Sequence, residues 1–174
     1  NSSMKIGKLL VDFFSTPHDA ADPVGFRIRR GKLAFGHVTD LGHISEDVVN
    51  GLRGCSSILI EANHDVDMLR NSSYPKSIRK RIGGRWGHLS NDAVAHYLEY
   101  RLPDGVRHLF LAHLSQQNNH ESLVLDSCLE ALARRGGSSP ELHLTHNRQP
   151  TPLLRLTAPT HKTTNNKQGS LVFS

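Results

Sequence analysis

Ser57-Ile58-Leu59-Ile60-Glu61-Ala62-Asn63-His64-Asp65 joins an apolar run directly to a polar, chemically capable string. Short apolar runs bounded by polar residues or Gly read as buried strands, although periodicity alone does not separate them from helix. The same arrangement recurs on both sides. Leu33-Ala34-Phe35-Gly36-His37-Val38-Thr39 runs into Asp40, and His108-Leu109-Phe110-Leu111-Ala112 runs into His113. Upstream, residues 9–14 lead to Thr16-Pro17-His18, with Gly25-Phe26-Arg27-Ile28 as the follow-on strand. Downstream, residues 141–144 and 153–156 read as a last hairpin.

Helices with recognisable ends lie between these strands. Ser45-Glu46-Asp47 caps one through Val48, Val49 and Leu52, closed by Gly54. Pro75 opens a short basic helix through Ile78 and Ile82, stopped by Gly83-Gly84. Ser90-Asn91-Asp92 starts a third, whose Val94, Tyr97, Leu98 and Leu102 share a face. Asn119 begins the longest, with Leu125, Cys128, Leu129 and Leu132 inward and Gly136-Gly137 at its end. Strands alternating with helices argue for an α/β architecture. One domain is expected over residues 1–157, followed by a disordered tail at 158–174, where Thr, Asn, Lys and Gln show no periodicity.

Composition sets outer limits. The 174 residues are 37% hydrophobic, enough for a core, which excludes a wholly disordered, collagenous or coiled-coil chain. No run approaches the roughly 18 consecutive apolar residues of a membrane helix, and NSSMKIGK is too polar for the start of a secretory signal. A cytoplasmic protein with no membrane association is expected. Two cysteines, Cys55 and Cys128, are too few for a disulfide framework or a Cys-based zinc site. Lys and Arg exceed Asp and Glu by 21 − 16 = 5, a basic balance compatible with a polyanionic partner. Histidine stands out, at 12 residues.

In α/β sheets ligands bind beyond the carboxyl ends of strands. His18, Asp40, Glu61 and His113 all fall at such ends, and imidazole with carboxylate suits zinc or manganese. Five strings carry a more specific message: Pro17-His18-Asp19-Ala20 with Gly25-Phe26-Arg27-Ile28, Thr39-Asp40-Leu41-Gly42, Glu61-Ala62-Asn63-His64-Asp65, Gly87-His88-Leu89-Ser90-Asn91 and Leu111-Ala112-His113-Leu114-Ser115. In this order they closely resemble the metallo-β-lactamase superfamily, nearest to its WalJ/YycJ-type hydrolases, a branch related to RNase Z. The resemblance implies an αββα sandwich, of which this chain holds mainly the C-terminal half. It implies a dinuclear site with two divalent ions, usually zinc, sometimes manganese. By that resemblance His18 and His113 each ligate one ion and Asp40 bridges both. His88 contacts the scissile phosphate and assists the leaving group, and Glu61 orients His88. Catalytic roles thus fall on His88, Glu61 and Asp40, and ligation on His18, Asp40 and His113.

The physics fits such roles, because two close cations clamp attacking and leaving oxygens and a carboxylate partner fixes an imidazole tautomer. The N-terminus of the helix opened by Ser90 also favours a phosphate. Lys76, Arg79, Lys80, Arg81 and Arg85 cluster between the Glu61 and His88 strings, where they can meet a nucleic-acid backbone. His37, His43, His64, His96, His108, His120, His143 and His146 receive no site role. His143 and His146, three apart on a strand, fall on opposite faces.

The superfamily's His-x-His-x-Asp-His motif is absent. With Asn1 rather than Met at the start, a truncated chain is expected, or one that completes its sheet as a homodimer or on a missing N-terminal half. Three functions follow. The favoured one is a metal-dependent phosphodiesterase or nuclease acting on DNA or RNA. The others are a non-catalytic remnant or interaction subunit, and a hydrolase of small esters, thioesters or lactams on the same scaffold.

Overall fold

The computed structural model describes residues 2–157, so the expected tail at 158–174 lies outside the described residues. One seven-stranded sheet runs in simple sequence order, β1 to β7. Its first half is an antiparallel meander: β1 (Ser3–Ile6), β2 (Leu9–Ser15), β3 (Val24–Arg30) and β4 (Leu33–Val38). From β4 onward the strands are parallel: β5 (Ser57–Glu61), β6 (His108–Ala112) and β7 (Glu141–Leu144). Parallel neighbours need crossovers. These carry α1 (Glu46–Leu52), then α2 (Val66–Asn71), α3 (Lys76–Ile82) and α4 (Asn91–Tyr100), and finally α5 (Glu121–Arg135).

Alternation along the strands separates two faces. Ala34, Val38, Ile58, Ile60, Leu109 and Leu111 join Val48, Leu52, Val94, Leu98, Val124, Cys128 and Leu132 of the helices in one core. The opposite face carries register neighbours Phe13, Phe26, His37, Leu59, Phe110 and His143 in one row. All six are only half-buried, and no helix of the described residues joins them to the core.

Most helix ends fall where the caps place them. Ser45 accepts from the Val48 amide, Ser90 caps α4 through Ala93, and Gly83 closes α3. Four expectations change. Residues 153–156 form no strand, and β7 adds parallel to β6 instead of opening a hairpin; Leu153 is wholly exposed, with no layer to pack on. The cap of α5 is His120, because the Asn119 side chain is buried in bonds to other loops. The inward stripe of α5 is Val124, Cys128, Ala131 and Leu132, while Leu129 points to solvent. Finally, β1 and α2 join the expected elements: β1 is exposed throughout and held by its ladder to β2 across a turn with Gly7 at φ 58°.

Candidate active site

Asp40, Glu61 and His113 lie at the C-terminal ends of three adjacent parallel strands, and Glu61 is paired in register with Ala112. Asp40 (φ 58°) and His113 (φ 59°) adopt left-handed backbone, the two non-Gly residues of the described chain that do so. Asp and His tolerate this conformation better than most residues, at a cost of about 1–2 kcal/mol. Strain at both strand ends marks a place where side chains are turned toward one centre. His18, from the β2–β3 connection, and His88, from the turn before α4, complete the cluster.

Glu61 is the hub. It is fully buried, and its Oε1 meets His88 Nδ1 at 2.7 Å and His113 Nδ1 at 2.8 Å. Its Oε2 accepts the Leu41 amide at 3.0 Å. Burial pushes this carboxyl up, but hydrogen bonds from His113 and His88, the His88 charge and the Leu41 amide outweigh it and hold the group below the ordinary glutamate value. His113 is held above the usual imidazole value, first by its hydrogen bond to Glu61 and against its own burial. An ionised carboxylate only accepts, so His88 and His113 both donate from Nδ1 to Glu61, which leaves Nε2 of each ring outside this contact. His18 is fixed the same way: Nδ1 donates to the Gly87 carbonyl at 2.9 Å, and Nε2 lies 3.8 Å from Asp40 Oδ1. Asp40 Oδ1 is also 3.7 Å from His113 and 4.0 Å from His88. All five residues expected at the site therefore converge.

Three loops are laced together around them. Asp19 N donates to Trp86 O, Gly42 N to Pro17 O, and His43 Nδ1 meets Arg85 O. The fit depends on two glycines: a Cβ on Gly42 would lie 2.3 Å from Arg85 O, and one on Gly87 2.1 Å from Arg81 O. Buried asparagines hold the floor. Asn63 Nδ2 donates to the His113 carbonyl at 2.9 Å, and Asn119 Nδ2 to Ala62 O, Asn63 O and Asn91 Oδ1. Asn63 and Asn91 stand inside the motif strings without a role assigned from sequence.

Other expectations shift. Of the first amides of α4, Asn91 N is taken by His64 O and Ala93 N by Ser90 Oγ. His64 is buried, held below the ordinary imidazole value by that burial, and stays outside the centre. Of the basic cluster, Arg81 is paired with Asp19 and Arg79 bonds the Arg70 carbonyl. Lys76, Lys80 and Arg85 are exposed and have no carboxylate partner among the described residues. His88 shares donor-atom clusters with His18 and Asp40 on one side and with Glu61 and His113 on the other.

No protein-family model matches the chain. It is 34% identical over 148 residues to exodeoxyribonuclease YycJ of Bacillus anthracis, covering 83% of this chain and 56% of that protein. It is 33% identical over 128 residues to exodeoxyribonuclease WalJ of Streptococcus pneumoniae, covering 74% of this chain and 48% of that one. The chain thus spans about half the length of the curated relatives it matches. Among solved structures it superposes on the metallo-β-lactamase fold protein YhfI of Bacillus subtilis with TM-score 0.60 at 14% identity, over 83% of this chain and 48% of that one. On Zn2+-bound PqqB of Methylobacterium extorquens the TM-score is 0.57 at 21% identity, over 84% of this chain and 51% of that one. The ordered motif strings, the α/β sheet and these relatives lead to one assignment: the chain belongs to the metallo-β-lactamase superfamily.

Proposed function

We propose that this chain is the C-terminal part of a metal-dependent phosphodiesterase acting on DNA or RNA, over a domain spanning residues 1–157. One observation carries the reading: buried Glu61 holds His88 and His113 through the same oxygen, beside Asp40 and His18. The relatives' designation as exodeoxyribonucleases supports the substrate class.

Imidazole nitrogen and carboxylate oxygen form a donor set that fits zinc or manganese. His18, Asp40 and His113 would hold the metal, two ions being the expected complement. When bound, such ions polarise a phosphoryl oxygen and make water acidic enough to attack. The remaining donors come from a second sheet, which we place on the half-buried aromatic face. That same face supports the alternative of an interaction subunit.

The chain's own residues do the rest. His88, tied through Nδ1 to Glu61, presents Nε2 to the scissile phosphate and gives a proton to the leaving oxygen. Glu61 stabilises the imidazolium in that role and keeps its ring from turning. Proton transfer of this kind supplies about 10²–10⁴-fold in rate. Lys76, Lys80 and Arg85 face the approaching backbone, and Trp86, exposed beside His43, offers a stacking surface for a base.

The test is His88→Ala in the protein carrying its N-terminal segment. Cleavage of bis-p-nitrophenyl phosphate and of single-stranded DNA should fall about 10²-fold or more, with metal content at the wild-type level. Loss of metal would make His88 a ligand, and unchanged cleavage would remove it from the chemistry.

A further inference from the structure

β6 opens at His108 and β7 at Glu141, and these residues are register partners, as are Phe110 and His143. Pairing places His108, Glu141 and His143 on one face, the half-buried one. Their donor atoms form a triangle. His108 Nδ1 is 3.3 Å from His143 Nε2 and 3.5 Å from Glu141 Oε2, and the last two atoms are 3.9 Å apart. We propose that these three residues form a second metal site, for a divalent d-block cation of the zinc class, separate from the Asp40 centre.

The spacing is the first argument. Zinc bonds of about 2.0–2.1 Å in a tetrahedron place neighbouring ligand atoms about 3.3–3.5 Å apart. Glu61, by contrast, lies 2.7 Å from His88 and 2.8 Å from His113, the separation of hydrogen bonds. Here the two rings meet at 3.3 Å, and the carboxylate oxygen, at 3.5 and 3.9 Å, stands beyond good hydrogen-bonding distance of both. Three donor atoms thus lie within 3.9 Å of one another, and the single hydrogen bond among them, His108 to His143, leaves the carboxylate without a partner at hydrogen-bonding distance.

Rigidity is the second argument. The ligands stand on two hydrogen-bonded strands, and the Phe110 ring stacks on His143 at 4.7 Å and 21°. In this chain the His108 and His143 side chains are 18% and 20% exposed and Glu141 is 65% exposed, so the carboxylate is the side of the triangle nearest to solvent. Two imidazoles with one carboxylate favour zinc, cobalt, nickel or copper over magnesium or calcium. From His108 to His113 are five residues of strand, about 16 Å at 3.3 Å per residue, so the two centres share no ligand. β7 is a four-residue strand paired on one side only. An ion here would staple it to β6.

The experiment uses the whole chain, stripped with a chelator and titrated with Co2+, whose visible bands report tetrahedral coordination. In the background His18→Ala, Asp40→Asn, His113→Ala, one equivalent of Co2+ should still bind with those bands and raise the thermal midpoint. Adding His143→Gln or His108→Ala should weaken this binding at least tenfold, as should the size-preserving Glu141→Gln. Circular dichroism confirms that each variant is folded. Loss of all binding in the triple background, or unchanged affinity after the His143→Gln and Glu141→Gln replacements, would overturn the proposal.

Discussion

Along β6 adjacent residues meet different surroundings. Leu109 and Leu111 are fully excluded from solvent under α4 and α5, whereas His108 and Phe110 are half-buried on the other side. The covered face is aliphatic and closes on the helices, while the bare face is aromatic and histidine-bearing. Glu61 and Ala112 belong by alternation to the bare face, yet both are buried, because the loops of His18, Asp40 and His88 fold over that end. The candidate site thus sits where the bare face passes beneath its loops, and the rest of that face stays half-buried.

The sharpest test of this contrast uses neighbours on one strand. Leu109→Ala removes a side chain that is 0% exposed and should cost about 2–5 kcal/mol. Phe110→Ala removes cross-strand contacts on the bare face and should cost about 1 kcal/mol or less. Urea denaturation of both variants measures the difference. Equal losses would mean that the bare face is packed in solution, and a dimer in sedimentation velocity would show against what.

A smaller effect is expected at Glu61, where the contrast breaks down. Glu61→Gln keeps the size but removes the charge that both histidines meet, and should destabilise the metal-free chain by about 1–3 kcal/mol. Nitrogen-edited spectra should show His88 and His113 losing their downfield Nδ1 protons together. If one ring alone changed, the shared-oxygen geometry would not hold in solution.

Much of this was legible in the sequence where local chemistry and burial agree. Ser45 and Ser90 cap helices because their side-chain oxygens accept an otherwise unpaired amide of the first turn. His18, Asp40, Glu61, His88 and His113 come together because strand ends and motif order point to one place. What stayed hidden depends on distance. Nothing local announces that Asp40 and His113 take left-handed backbone, or that Gly42 must admit the Arg85 carbonyl. The inward stripe of α5 was misassigned at Leu129, because α4 covers a narrower stripe centred on Cys128 and Ala131. His143 received no site role because it and His146, three apart, fall on opposite faces, whereas its close contact runs across strands to His108, beside Glu141 of its own strand.

Where the helix layer runs out, the covered face ends in charge, and here the smallest effect is expected. Asp12 pairs in register with Arg27, with Arg29 on the same strand. Arg29 grips both carboxylate oxygens at 2.7 and 2.9 Å, and Arg27 Nε adds a contact at 3.0 Å. The Arg29 hydrogen bonds, with help from Arg27 and against burial, hold the Asp12 carboxyl below its ordinary value of 3.8. A carboxylate held low in the folded state contributes fully above its unfolded value and loses that contribution as pH falls through the lowered one. Asp12→Asn should therefore cost about 1 kcal/mol or less at pH 7. The gap to wild type should narrow below about pH 4, and added salt should narrow it at neutral pH. Urea midpoints at pH 7 and pH 3 measure this. A gap of the same size at both would show that the helix layer, and not this charge, governs the margin of the covered face.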